Sequence, residues 1–130
     1  MATKQKILIV DDDNNIAELV ALYLTKECFE TKIVNDGEEA LKQFHIFHPD
    51  LILLDYEMPI INGRQVFEMI RSEKDFETIP IMFLTSCNDK NVVMDIARLK
   101  PEGYLLKTMK PERIITEVDA FFAEKRRKQL

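Results

Sequence analysis

With 130 residues, 46% of them apolar, the chain has the size of one ordinary domain with its own core and no room for a second. A net charge of −5, from 18 Lys and Arg against 23 Asp and Glu, argues against nucleic acid as a direct partner and against an anionic membrane surface. No apolar stretch approaches the roughly 20 residues of a bilayer span, residues 1–6 lack a signal-peptide core, and Cys28 and Cys87 lack metal-ligand spacing; the expectation is a cytoplasmic protein with reduced thiols.

Residues 6–10 read as a buried strand, after which Ile16, Leu19, Val20, Tyr23 and Leu24 recur at helical spacing. Phe29, Thr31 and Ile33 alternate with Glu30 and Lys32, as in a strand with one wetter face at a sheet edge; Ala40, Leu41, Phe44 and Phe47 mark the next helix. Residues 51–54 are uniformly apolar, which suits a strand covered on both faces, and Val66, Phe67 and Ile70 follow. Residues 79–84 repeat that pattern before Val92, Val93, Ile96 and Leu99. Residues 104–106 are the last strand; Ile114, Ile115, Val118, Phe121 and Phe122 form the last amphipathic helix, with Pro111 in its first turn. Strands alternating with helices predict an α/β domain, a parallel five-stranded sheet doubly wound by helices.

Three of these strands run into chemistry: residues 7–10 into Asp11, Asp12 and Asp13, residues 51–54 into Asp55, and residues 81–84 into Thr85. Parallel strands align their carboxyl ends at one edge, and the strand order 2-1-3-4-5 places a switch point between strands one and three, which puts Asp11, Asp12 and Asp55 in one pocket. At about 5 Å and an effective dielectric near 20, each carboxylate pair repels by about 3 kcal/mol, so a cation must offset the charge. Oxygen donors without His or Cys select a hard ion, and few carboxylates with room for water and phosphate oxygens suit Mg²⁺ (or Mn²⁺) better than Ca²⁺. A carboxylate beside such an ion can attack phosphorus, and Asp55, alone at its strand tip, is the candidate nucleophile. Thr85 and Lys107, at neighbouring strand ends, could hold the transferred phosphoryl oxygens.

With these residues in place the chain resembles the receiver domain of two-component response regulators, a CheY-like, flavodoxin-like (βα)5 fold. ILIVDDD supplies the acidic pair Asp11 and Asp12, LILLDYEMP supplies Asp55 with Pro59 four residues on, and Gly63, Thr85 and Lys107 fall at matching places. The resemblance covers residues 4–123 of a single domain over 1–130 and leaves 124–130 as a basic tail. It implies a phosphoryl group taken onto Asp55 from the phosphohistidine of a sensor histidine kinase or phosphotransfer protein. It further implies Mg²⁺ held by Asp12, Asp55 and the Glu57 backbone carbonyl with Asp11 acting through water, and no turnover of an external substrate. Thr85 and Tyr104 become the switch that remodels the helix 4, strand 5, helix 5 face for a downstream protein target or, on phosphorylation, a homodimer. Helix one, residues 16–26, is the face such domains offer a kinase, and Glu57 and Cys87 flank the phosphoryl position.

The departures are specific. The family usually has Pro after its lysine, whereas Thr108 follows Lys107 and predicts a trans peptide, because a cis bond there costs about 2.5 to 4 kcal/mol. Lys100-Pro101-Glu102-Gly103 replaces the family's Gly-Ala pair and predicts a stiffer loop, and Ser86 adds a hydroxyl where the family has a small residue.

Singly, each site residue has an ordinary structural explanation: Asp13 or Asn14 as a helix N-cap, Asp55 as a turn residue, Thr85 as a polar strand end, Lys107 as a solvated charge. Their joint placement at four strand ends favours one site. An EF-hand fails, since Ile16 and Leu22 stand where its loop needs Gly and Glu. Two alternatives remain open. A haloacid-dehalogenase-like phosphohydrolase would use the Asp11-Asp12-Asp13 spacing with Asp11 as nucleophile, although Asn15 stands where that motif wants Thr or Val. A receiver-like binding module would ignore phosphorylation. His45 and His48 are expected to be solvated, and Met58, Met69, Met82 and Met94 to fill gaps in or near the core.

Overall fold

The computed structural model describes residues 4–86 and 88–129. In chain order the elements are β1 (Lys6–Val10), α1 (Asn14–Lys26), β2 (Glu30–Val34), α2 (Gly37–Phe47), β3 (Leu51–Leu54), α3 (Gly63–Ser72), β4 (Ile81–Thr85), α4 (Lys90–Leu99), β5 (Gly103–Leu106) and α5 (Pro111–Lys128), with one 3-10 turn at Lys74–Phe76. The five strands form one parallel sheet in the order β2-β1-β3-β4-β5. This is the doubly wound arrangement read from the alternating apolar patterns, and β2, half wet, lies at the edge.

The period of two along the strands divides the core into two layers. Ile7, Ile9, Leu51, Leu53, Met82, Leu84 and Leu105 face α1 and α5, where Ala17, Val20, Leu24, Ile114, Val118 and Phe122 meet them. Leu8, Val10, Ile52, Leu54, Ile81 and Phe83 face α2, α3 and α4, which contribute Ala40, Phe44, Val66, Phe67, Ile70 and Ile96. β1, β3 and β4 are covered on both sides, which is why their sequences are almost unbroken apolar runs.

The structure moves several expectations. Phe29 precedes β2 and packs on Phe122 with ring centroids 5.5 Å apart, so it belongs to the core rather than to the strand ladder. β4 starts at Ile81, behind Pro80, which has no N–H for a ladder. Met58 and Met82 are buried, but Met69 and Met94 are 41% and 45% exposed, because they fall on the outer faces of α3 and α4. α5 continues to Lys128, so most of the basic segment is helix. His45 is not merely solvated: its Nε2 lies 3.2 Å from Glu73 Oε2 and its ring stacks on Phe44 at 4.5 Å, where the ends of α2 and α3 meet. No helix among the described residues is long and apolar enough to cross a membrane.

Candidate functional site

The β1 ladder continues into Asp11, whose N–H donates to the Val34 carbonyl at 3.0 Å, so its side chain enters the strand-end edge with the residue only 1% exposed. Its Oδ1 accepts from the Asp13 N–H at 2.9 Å, and its own carbonyl accepts from Asn35 Nδ2 at 3.0 Å. Asp12 is exposed at the rim of the same edge. Asp13 is the N-cap of α1, its Oδ1 accepting from the N–H groups of Asn15 and Ile16.

Asp55 is set by the same ladder logic, its N–H donating to the Val10 carbonyl at 2.9 Å, and it is 4% exposed. The chain then turns through Tyr56, Glu57 and the buried Met58 into α3. Two devices hold this turn. Asn62 and Gln65 form a reciprocal capping box at the start of α3. The Gly63 N–H donates to the Tyr56 carbonyl at 2.8 Å, and a Cβ on Gly63 would lie 2.1 Å from the Asp55 carbonyl oxygen, so only glycine permits this close approach.

Thr85 ends β4 fully buried, and its carbonyl accepts from the Lys107 N–H at 3.0 Å, which brings the residue after β5 to the same edge. Lys107, with a side chain 6% exposed, reaches across: its Nζ donates to Asp11 Oδ1 at 2.8 Å and to Asp55 Oδ2 at 3.1 Å. This ammonium, expected from the sequence to hold the transferred phosphoryl oxygens, here pairs with both buried carboxylates and offsets part of their charge. Nζ also lies 2.8 Å from Asp11 Oδ2, but without hydrogen-bond geometry, so that buried oxygen has no donor. Among the described residues there is no cis peptide, and Lys107-Thr108 is trans.

The electrostatics follow from burial. Desolvation pushes the Asp55 carboxyl up, the Lys107 ammonium pulls it back, Asp11 raises it again, and hydrogen bonds from Lys107 and the Glu57 N–H lower it, for a pKa of about 6 against an ordinary 3.8. Burial draws the Lys107 pKa down, but its hydrogen bond to Asp11 and the charges of Asp55 and Asp11 outweigh it and leave the group raised.

One ligand atom each from Asp11, Asp12 and Asp55 lies within 4.8 Å of the others. An all-oxygen set of three carboxylates, one with a buried oxygen that accepts no hydrogen bond, suits a hard divalent ion such as Mg²⁺ or Mn²⁺. Beside these residues opens a cleft of about 400 Å³ lined by Asp12, Tyr56, Glu57, Met58, Pro59 and Asn62. Tyr104 lies on β5, opposite Phe83 in register, half-buried against the α2, α3 and α4 side of the core. Cys87 lies outside the described residues. Sequence reasoning missed Asn35 under the Asp11 carbonyl and Asp95 on α4, whose carboxylate accepts from the Tyr56 hydroxyl, because neither belongs to a periodic apolar pattern.

Residues 7–119, most of the chain and all of these positions, match the response regulator receiver domain. The chain belongs to that family. This receiver is 34% identical over 117 residues to the DNA-binding response regulator MtrA of Mycolicibacterium paratuberculosis, covering 90% of this chain and 51% of the relative, and equally to MtrA of Mycobacterium leprae. It is similar to the solved chemotaxis protein CheY4 of Vibrio cholerae at 25% identity and a TM-score of 0.84, covering 92% of this chain and 99% of that one. The receiver spans about half the length of the curated relatives it matches. Those relatives correct the expectation of no nucleic-acid partner. They are named DNA-binding, and a net charge summed over this receiver says nothing about the part of such proteins that it does not match.

Proposed function

We propose that this receiver accepts a phosphoryl group on Asp55 from the phosphohistidine of a histidine kinase or phosphotransfer protein. The observation that carries this reading is the Asp55 carboxylate, nearly buried at the strand-end edge, with Asp11, Asp12 and Lys107 converging on it and a cleft beside it. An Asp55 oxygen attacks phosphorus as the bond from phosphorus to the imidazole nitrogen breaks; the electron pair leaves with the ring, which keeps or gains a proton, and an acyl phosphate remains. Asp12, Asp55 and the Glu57 carbonyl would hold Mg²⁺, with Asp11 acting through water, and the ion supplies charge screening for the transferring group. Lys107 then shifts its partnership from carboxylate to phosphoryl oxygen, and the Thr85 hydroxyl supplies a second donor. Thr85 and Tyr104 carry the event to the face of α4, β5 and α5, and the domain assists its own modification without an external substrate. Two relatives are named DNA-binding, and output on DNA through a longer protein is one use this receiver could serve.

Incubation with acetyl phosphate and Mg²⁺ is expected to place an acid-stable, base-labile label on the chain that Asp55→Asn abolishes. Labelling that survives Asp55→Asn and disappears in Asp11→Asn would move the reading to a dehalogenase-like phosphohydrolase. The commitment of Asp13 to capping α1 already speaks against that use of the acidic run.

A further inference from the structure

α4 has the weakest apolar hold on the sheet. Of its ten residues only Ile96 is buried, whereas α3 and α5 each bury four. Val93 and Met94 are 37% and 45% exposed. What ties the helix down in addition is Asp95, whose side chain is 15% exposed and whose two oxygens serve two other elements. Oδ1 accepts from Arg64 Nη1 of α3 at 2.7 Å, and Oδ2 accepts from the Tyr56 hydroxyl in the turn between β3 and α3. Arg64 is itself held by Glu68, 2.7 Å from its Nε. Tyr56 stands between Asp55 and Glu57, its ring 5.9 Å from that of Phe83 and its carbonyl fixed by the Gly63 N–H at 2.8 Å. One carboxylate therefore joins α4 to the residue covalently next to Asp55.

We propose that Asp95 is a positioning residue: Tyr56, Asp95 and Arg64 form a latch that holds α4 against the turn bearing Asp55 while Asp55 is a free carboxylate paired with Lys107, and a tetrahedral oxyanion on Asp55 weakens it. The inference rests on the phosphoacceptor reading above and names the element through which that event reaches α4. The physical argument is spatial. Asp55 is hemmed in by Lys107 on one oxygen and the Glu57 N–H on the other, so added phosphoryl oxygens displace the ammonium, the turn, or both. Tyr56 shares that backbone, and a hydrogen bond stretched beyond about 3.5 Å is lost. With Ile96 alone fully buried and Val92 and Leu99 only partly buried against the core, α4 is lightly held, which is the condition for an element that moves. Linkage then runs both ways: what weakens the latch favours the oxyanion, and the oxyanion weakens the latch.

The test is calorimetric titration of the full chain with beryllofluoride in the presence of Mg²⁺, for wild type, Tyr56→Phe, Asp95→Ala and the double variant, with thermal unfolding of each. Tyr56→Phe keeps the ring against Phe83 and removes only the hydroxyl, so it guards against a folding failure in Asp95→Ala. Each single variant is expected to bind about three- to ten-fold more tightly than wild type, as for loss of one typical hydrogen bond, and the double variant no more tightly than the singles. Unchanged or weaker binding in the singles, with or without a lowered unfolding midpoint, overturns the latch, as do additive effects in the double. A wild type that does not bind beryllofluoride removes the phosphoacceptor reading and the latch together; binding without a response in the variants removes the latch alone.

Discussion

Gly63 and Asp55 are in main-chain contact: a Cβ built on Gly63 lies 2.1 Å from the Asp55 carbonyl oxygen and 2.7 Å from Tyr56 Cα. Both obstacles are backbone, so no side-chain rotation relieves them. Gly63→Ala is expected to lower stability by about 3 kcal/mol or more, through displacement of the turn or of the α3 N-terminus. Chemical denaturation measures the loss, and a variant within about 0.5 kcal/mol of wild type would show that the turn is free to yield.

Asp55 gives the fold a pH signature. Its carboxyl is raised from 3.8 to about 6, mainly by burial, so the folded state binds the proton more tightly than the unfolded chain, and this stabilisation is lost as pH rises from about 4 to about 6. Without divalent ions, Asp55→Asn and wild type should unfold at similar temperatures near pH 4, while at about pH 7.5 the variant should be more stable by about 1 to 3 kcal/mol. Added Mg²⁺ should narrow the gap by stabilising only the wild type. Equal stability of the two proteins at neutral pH without metal would contradict this.

Ile60 has φ of 68° and is 97% exposed, with the Ile61 N–H donating to the Pro59 carbonyl at 2.8 Å around it. That is the bond pattern of a γ-turn with positive φ, which is rare and strained, and a β-branched side chain is poorly suited to it. Since no burial is lost, Ile60→Gly is expected to raise stability by about 0.5 to 1.5 kcal/mol, the relief of strain exceeding the entropy that glycine adds to the unfolded chain. A lower unfolding midpoint for this variant would argue that Ile60 makes a contact stronger than its strain.

Glu102 holds the loop before β5. Its Oε1 accepts from the N–H of the fully buried Ile81 at 2.7 Å and lies 3.1 Å from Arg71 Nη2. This is how Lys100-Pro101-Glu102-Gly103 replaces the smaller pair usual in the family: a side chain extends the start of the ladder. Glu102→Ala leaves the N–H unsatisfied and should cost about 1 to 3 kcal/mol, whereas Glu102→Gln keeps an acceptor and should cost less than about 1. Amide exchange at Ile81 is expected to accelerate in the first variant only, and similar exchange in both would mean that water replaces the carboxylate.

The sequence alone determined the elements and their chemistry. Apolar runs in residues 51–54 and 104–106 and helical spacing at Ile114, Val118 and Phe122 are local patterns, set by which side chains must leave water, and strand-end acids are local too. Boundaries blurred where a core residue stands outside its strand, as Phe29 does, or where a methionine lies on an outer helical face, as Met69 and Met94 do. Tertiary structure alone decided which charges meet. Lys107 reaches Asp11 across 96 positions and Asp55 across 52, and Asp95 reaches Tyr56 across 39. Such pairs leave no periodic trace, because a single polar contact depends on where two separately packed elements come to rest, not on the pattern that packed either one.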